Sequence, residues 1–218
     1  MLKPKLFQLP GLYAITDTRL CGLSHAEQVE SLIRGGATLI QLREKHLPSG
    51  RFHEQAEAAL RVARARGARV IINDRVDIAL ALKADGVHLG QQDLSPVVAR
   101  QILGPDAIIG LSTHNKEQAK EGVSFPIDYL AAGPIFRTHS KQDSDPILGL
   151  EGLCDIRRMV NNLPLVAIGG ITFEQAPEVF KAGADCIALI GALLSSPQEI
   201  EVKTKAFSAL ASSHARKF

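Results

Sequence analysis

The run Gln41-Leu42-Arg43-Glu44-Lys45 is the most chemically suggestive stretch of the chain. In an extended segment side chains alternate, so Gln41, Arg43 and Lys45 share one face and Leu42 and Glu44 the other. An amide and two cations at period two suit an anion, phosphate above all. The plainer alternative is an ion pair with a nearby carboxylate such as Asp74. Asn73-Asp74 closes another apolar run, and Asp93 follows the next. Two carboxylates, with carbonyls and waters, hold Mg²⁺, which takes oxygen ligands and is commonly shared with substrate phosphates. Each acid also has a structural reading: Asp74 as cap of a helix starting near Val76, Asp93 as cap of one starting at Pro96. Grouped beside Arg43 and Lys45, they read as one arm of a metal–diphosphate site.

Further along, Ser112 in "GLSTH" is placed either to donate to a substrate or to cap the following helix, and the sequence leaves both open. His114 reads as a solvated loop histidine. No His/Cys cluster has zinc spacing, and no Ser, His and Asp arrangement suggests acyl transfer. The longest polar loop, "GPIFRTHSKQDSDPILGL", runs from Gly133. Its length suits a phosphate-gripping lid with Thr138, Ser140 and Lys141 as donors, the alternative being a solvated loop. Gly169, Gly170 and Gly191 end two late apolar runs. Bare N–H groups there, beside helix N-termini, would cradle phosphate, unless the glycines merely permit tight turns.

Something must bring these corners together. Apolar runs begin at Leu12, Thr38, Arg69, Gly86, Ala107, Asp128, Leu163 and Cys186, about every 25 residues, enough for a strand, a loop and a helix. The intervening segments are amphipathic. One places Ala26, Val29, Leu32 and Ile33 on one face, with Ser24 as N-cap and Gly35-Gly36 as stop. Two further helices end at Gly67 and Gly183. Continuous apolar strands alternating with helices call for a parallel sheet covered on both faces. Eight such units fit a single (β/α)₈ TIM barrel over residues 1–218, with an open doubly wound sheet as the alternative. In a barrel, the polar corners singled out above all fall at the C-terminal ends of strands, the functional face.

Composition narrows the partners. With 25 Lys+Arg against 23 Asp+Glu, the net charge is +2, which leaves no broad basic face for nucleic acid. No apolar run is long enough to span a membrane, and no leader pattern opens the chain. Cys21, Cys154 and Cys186 lack CxxC spacing and read as reduced thiols of a cytoplasmic protein. Monomer and homo-oligomer both remain open.

"QLREK", "INDRVDIALALKADGVHLGQQDL", "IIGLSTHN", "GPIFRTHSK" and "VAIGGIT", in this order and spacing, resemble the thiamine phosphate synthase (thiamine-phosphate pyrophosphorylase) family from about Gly11 to Leu194. The resemblance implies a (β/α)₈ transferase of thiamine biosynthesis. It would join 4-amino-2-methyl-5-(diphosphooxymethyl)pyrimidine to thiazole phosphate, or its carboxylated form, releasing diphosphate. It implies that Gln41, Leu42, Arg43, Glu44, Lys45, Asn73, Ser112 and Lys141 bind the pyrimidine diphosphate, with Arg43, Lys45, Ser112 and Lys141 catalytic. Asp74 and Asp93 would ligate Mg²⁺. Thr138, His139, Ser140, Gly170, Ile190 and Gly191 would hold the thiazole phosphate. Arg137, Ser140 and Gly191 stand where the family usually has proline, threonine and serine. Rival readings are a thiazole tautomerase of the same superfamily and a phosphate-binding regulatory barrel. Neither would need the acid pair together with "QLREK".

Overall fold

The structure, a computed structural model, describes residues 8–138 and 146–214. Eight parallel strands close on themselves: β1 (Leu12–Thr16), β2 (Leu39–Leu42), β3 (Arg69–Asn73), β4 (Gly86–Leu89), β5 (Ile108–Thr113), β6 (Tyr129–Ala132), β7 (Leu165–Ile168) and β8 (Cys186–Leu189). Because β8 pairs with β1, with Leu12 opposite Ile187, the open-sheet alternative is excluded. Short strands of almost wholly buried residues are what a sheet covered on both faces requires.

The helices form where local chemistry directs. Helix His25–Arg34 opens on a reciprocal capping box between Ser24 and Glu27 and stops at Gly35. Its buried face is His25, Gln28, Val29 and Leu32, rotated from the Ala26–Ile33 stripe that apolarity alone suggests. The rotation follows from two polar bonds at the barrel mouth: His25 Nδ1 lies 2.7 Å from the Thr16 hydroxyl, and Gln28 Oε1 accepts from the Asp17 N–H. Helix Ser49–Ala65 is followed by Gly67 at φ 69°, and helix Ala176–Lys181 by Gly183 at φ 111°.

At the opposite end, the N-terminal face, one device recurs. Asp85, Asp128 and Asp185 each precede an even-numbered strand. Each carboxylate accepts the backbone N–H of the preceding strand's first or second residue: Val70 at 2.8 Å, Ile109 at 2.7 Å and Leu165 at 2.9 Å. The aspartate N–H in turn donates to the carbonyl of the same residue. Arg100 and Arg157 pair with Asp128 and Asp185, both at 2.7 Å. These clamps fasten strands far from the polar corners. Asp185→Ala, which removes the carboxylate facing the largely buried Arg157 and the acceptor of the Leu165 N–H, is expected to cost about 3 kcal/mol. Urea denaturation reads this directly, and a loss below about 1 kcal/mol would make the clamp a minor contact.

All three cysteines are free, and Cys186 is buried. Among the described residues, no helix is long and apolar enough to cross a membrane.

Candidate active site

The strand ends set the positions of the polar corners. Gln41 is the inward residue of β2, and Leu42 points outward into the core. Beyond the strand, Arg43 donates to Asp17 Oδ2 at 2.7 Å, and Lys45 pairs with Asp74. Asp17 also accepts the Arg19 N–H, so it caps its own short helix while orienting Arg43. Glu44 turns away from the mouth, its side chain only 4% exposed. It accepts the N–H groups of His46 and Leu47 and the Thr18 hydroxyl. Burial opposes its charge, but these donors and nearby His25 outweigh it and hold the carboxyl below the ordinary range. Glu44 and Leu42 therefore shape the corner from behind, leaving only their backbones toward a ligand.

Asn73 and Asp74 follow at the end of β3. Asp74 sits at φ 61°, a left-handed conformation uncommon outside glycine. This turns its carboxyl toward Lys45 and Asp93, and away from the helix Val76–Leu82, which has no side-chain cap. Asp93 likewise does not cap the helix Pro96–Leu103, where Ser95 does so. Instead Asp93 accepts the Gly90 N–H at 2.6 Å. Both capping readings are thus replaced by a facing pair of acids. Burial raises the Asp74 pKa, Asp93 adds to the rise, and Lys45 opposes it. An Asp74 carboxylate opposed by burial and by Asp93 opposite it is a donor set that a hard cation relieves. The Asn73 side-chain nitrogen is buried and has no hydrogen-bond partner among the described residues, a donor left over for a ligand. The residues fit a Mg²⁺–phosphate ligand. Among the described residues, no group of three or more His, Cys, Asp or Glu gathers as a metal cluster, so waters and ligand oxygens would complete the coordination.

The barrel interior carries a line of polar contacts from β2 to β5. Gln41 Nε2 donates to the Tyr13 hydroxyl at 2.9 Å, and Tyr13 meets the Tyr129 hydroxyl at 3.0 Å. Tyr129 lies 2.9 Å from His88 Nδ1, and His88 Nε2 lies 2.8 Å from Ser112 Oγ. The Tyr129 and His88 rings stack with an 18° interplanar angle. Gly110 makes room for them, since a Cβ there would come within 2.1 Å of the Tyr129 ring. Burial pushes both tyrosine pKa values well up, so both keep their hydrogens at neutral pH. Ser112 does not cap the next helix, which is capped by Asn115.

Ser112 also forms one wall of a cavity of about 340 Å³ on the β5–β8 side of the mouth. Thr138, Gly170, Ile190 and Gly191 line it, as does the exposed Arg137. Gly170 adopts φ 65°, and a Cβ on it would lie 2.3 Å from the Arg137 carbonyl oxygen, so glycine is required there. No helix begins at Gly169–Gly170, contrary to expectation; the next starts at Ala176. Only after β8 does a short helix, Gly191–Leu194, follow directly. His114 is not a solvated loop histidine either. Its ring Nδ1 donates to the Gly133 carbonyl at 2.7 Å, and it lines the cavity. The sequence's solitary view of it missed a partner on the neighbouring strand's loop.

The mouth thus has two halves. Gln41, Arg43, Asn73 and Ser112 line a small hollow, flanked by Lys45, Asp74 and Asp93. Thr138, Gly170, Ile190 and Gly191 line the larger cavity, and Ser112 borders both. His139, Ser140 and Lys141 lie outside the described residues. Sequence reasoning passed over Asp17, Tyr13, His88 and Tyr129. One signal was available: the chain has two tyrosines, both within apolar runs, and a buried phenol needs a partner.

Residues 12–193 match the family model described as thiamine monophosphate synthase. The chain is 45% identical over 187 residues to the thiamine-phosphate synthase of Syntrophomonas wolfei, covering 85% of this chain and 89% of that one. It is equally 45% identical over 201 residues to that of Azorhizobium caulinodans, covering 91% and 93%. Among solved structures, the thiamine phosphate pyrophosphorylase from Pyrococcus furiosus superposes with a TM-score of 0.83 at 38% identity, over 93% of this chain and 96% of that one.

Proposed function

The chain belongs to the thiamine monophosphate synthase family and is a transferase of thiamine biosynthesis; from that premise we propose that it couples 4-amino-2-methyl-5-(diphosphooxymethyl)pyrimidine to thiazole phosphate, plain or carboxylated, with Mg²⁺. The observation carrying this reading is the shared wall at Ser112. On one side stand the acids Asp74 and Asp93 with Arg43 and Lys45; on the other lies the glycine-lined cavity. Two phosphate-bearing partners would meet across it.

The chemistry requires little acid–base work. Breaking the C–O bond to diphosphate leaves a pyrimidinylmethyl cation, delocalised into the ring's amino group, and a leaving group with new negative charge. Mg²⁺, when bound by Asp74 and Asp93, would neutralise part of that charge. Arg43 and Lys45 would take the remaining phosphate oxygens, Arg43 held in aim by Asp17. Asn73 would offer its unpartnered N–H to the same oxygens. The thiazole nitrogen attacks through its lone pair and loses no proton, so no base is needed at the reacting carbon. Thr138, Gly170, Ile190 and Gly191, with His139 and Ser140 as the family resemblance implies, would fix the thiazole phosphate, and Lys141 would join the contacts to the pyrimidine diphosphate. Alignment of the two substrates then replaces a bimolecular encounter.

The test is to incubate the protein with both substrates and Mg²⁺ and measure diphosphate release. Stoichiometric diphosphate and thiamine phosphate are expected. A protein that converts thiazole phosphate isomers without releasing diphosphate would be a tautomerase instead.

A further inference from the structure

We propose that Tyr13, Tyr129 and His88 are positioning residues whose hydrogen-bonded line fixes Ser112 as a donor toward the barrel mouth, selecting a ring nitrogen acceptor on the pyrimidine. The proposal rests on the reading of Ser112 as a wall of the pyrimidine site.

The direction of the line follows from its first member. An amide nitrogen only donates, so Gln41 Nε2 at 2.9 Å makes the Tyr13 oxygen an acceptor. The Tyr13 hydrogen then goes to the Tyr129 oxygen, 3.0 Å away. Tyr129 in turn gives its hydrogen to His88 Nδ1, at 2.9 Å. With Nδ1 accepting, a neutral imidazole carries its proton on Nε2, which donates to Ser112 Oγ at 2.8 Å. The serine oxygen thereby accepts from below, and its hydrogen, which cannot go to His88, points out of the line. Run in reverse, the line would give the Tyr13 oxygen two donors and leave its own buried hydrogen without either of those partners, which is costly. A serine held this way donates its hydrogen to a heteroaromatic ring nitrogen, which it could not do if the line ran in reverse and that hydrogen went to His88. The contact orients the ring and contributes no charge to the developing cation, so its loss falls on substrate binding more than on turnover.

Two measurements test this. In unliganded protein with ¹⁵N-labelled histidine, the His88 signals, assigned by their loss in His88→Gln, should show a neutral ring protonated at Nε2. Tyr129→Phe should mix the two tautomers. A ring protonated at Nδ1 in the wild type would mean that the line runs the other way, and would overturn the proposal. In steady-state kinetics, Tyr129→Phe and Tyr13→Phe should each raise KM for the pyrimidine diphosphate about tenfold, with kcat and the thiazole phosphate KM within about twofold. The two variants back each other should one fail to fold. His88→Gln, which keeps an N–H near the Nε2 position, should recover most of the affinity that His88→Ala loses. An unchanged pyrimidine KM in both tyrosine variants, or equal losses in His88→Gln and His88→Ala, would overturn the relay. Wild-type protein that binds no pyrimidine diphosphate would remove the functional reading and the substrate half of the proposal together, whereas the tautomer half is judged by the ¹⁵N spectrum alone.

Discussion

Asp93→Ala is expected to lower turnover by about 10²-fold or more, the scale of losing one preorganised charge-stabilising group, while the barrel stays folded. The side chain is half-buried and accepts the Gly90 N–H, its one backbone hydrogen bond among the described residues. Losing that bond should cost about 1 kcal/mol, visible as a small drop in melting temperature. What should collapse is the response to Mg²⁺: with a single carboxylate left at Asp74, the apparent metal affinity falls and higher Mg²⁺ only partly restores the rate. Asp93→Asn separates the two roles, since an amide oxygen still accepts from Gly90 but brings no charge. It should match the alanine variant in rate and the wild type in stability. Normal Mg²⁺-dependent turnover in both variants would sink the metal assignment.

Arg43→Ala carries the second large effect, a loss of about 10²–10³ in kcat/KM, with little change in stability because the side chain lies at the mouth. Arg43→Lys should rescue poorly. An ammonium cannot keep one nitrogen on Asp17 and present others to phosphate in a fixed plane. Asp17→Ala should cost less, roughly tenfold, and mainly in KM, since the guanidinium remains but loses its aim. If Arg43→Lys were fully active, simple charge would suffice and the Asp17 pairing would be incidental.

The parts of this arrangement that were legible in the sequence are those governed by short periods. Alternation in Gln41–Lys45 sorts the mouth-facing side chains from Glu44, and the recurrence of apolar runs gives the barrel. Closure then puts Asn73, Asp74, Asp93 and Ser112 at one end, because strand ends in a parallel barrel share a face. What stayed hidden depends on contacts across the barrel. Tyr13 and Tyr129 are 116 residues apart and meet only because eight strands close at one register. The Asp17–Arg43 pair needs β1 and β2 to be neighbours with matched ends, Thr16 opposite Leu42. The face of helix His25–Arg34 was misjudged because apolarity was counted and hydrogen bonding to the mouth was not.

The pairing of Arg43 with Asp17 and of Lys45 with Asp74 has a kinetic consequence. With Arg43 and Lys45 already paired, this half of the mouth projects little field into solvent, so an approaching diphosphate is not drawn in from a distance by these two cations. Recognition becomes a contact-range event, in which phosphate oxygens take the Lys45 ammonium that Asp74 held and the guanidinium N–H groups that Arg43 does not spend on Asp17. Association should therefore be slower than for an open cationic funnel and nearly indifferent to ionic strength. An enzyme built this way gives up capture rate and gains indifference to the many other polyanions it meets, each of which would have to part Lys45 from Asp74 without the metal and the second substrate to hold it.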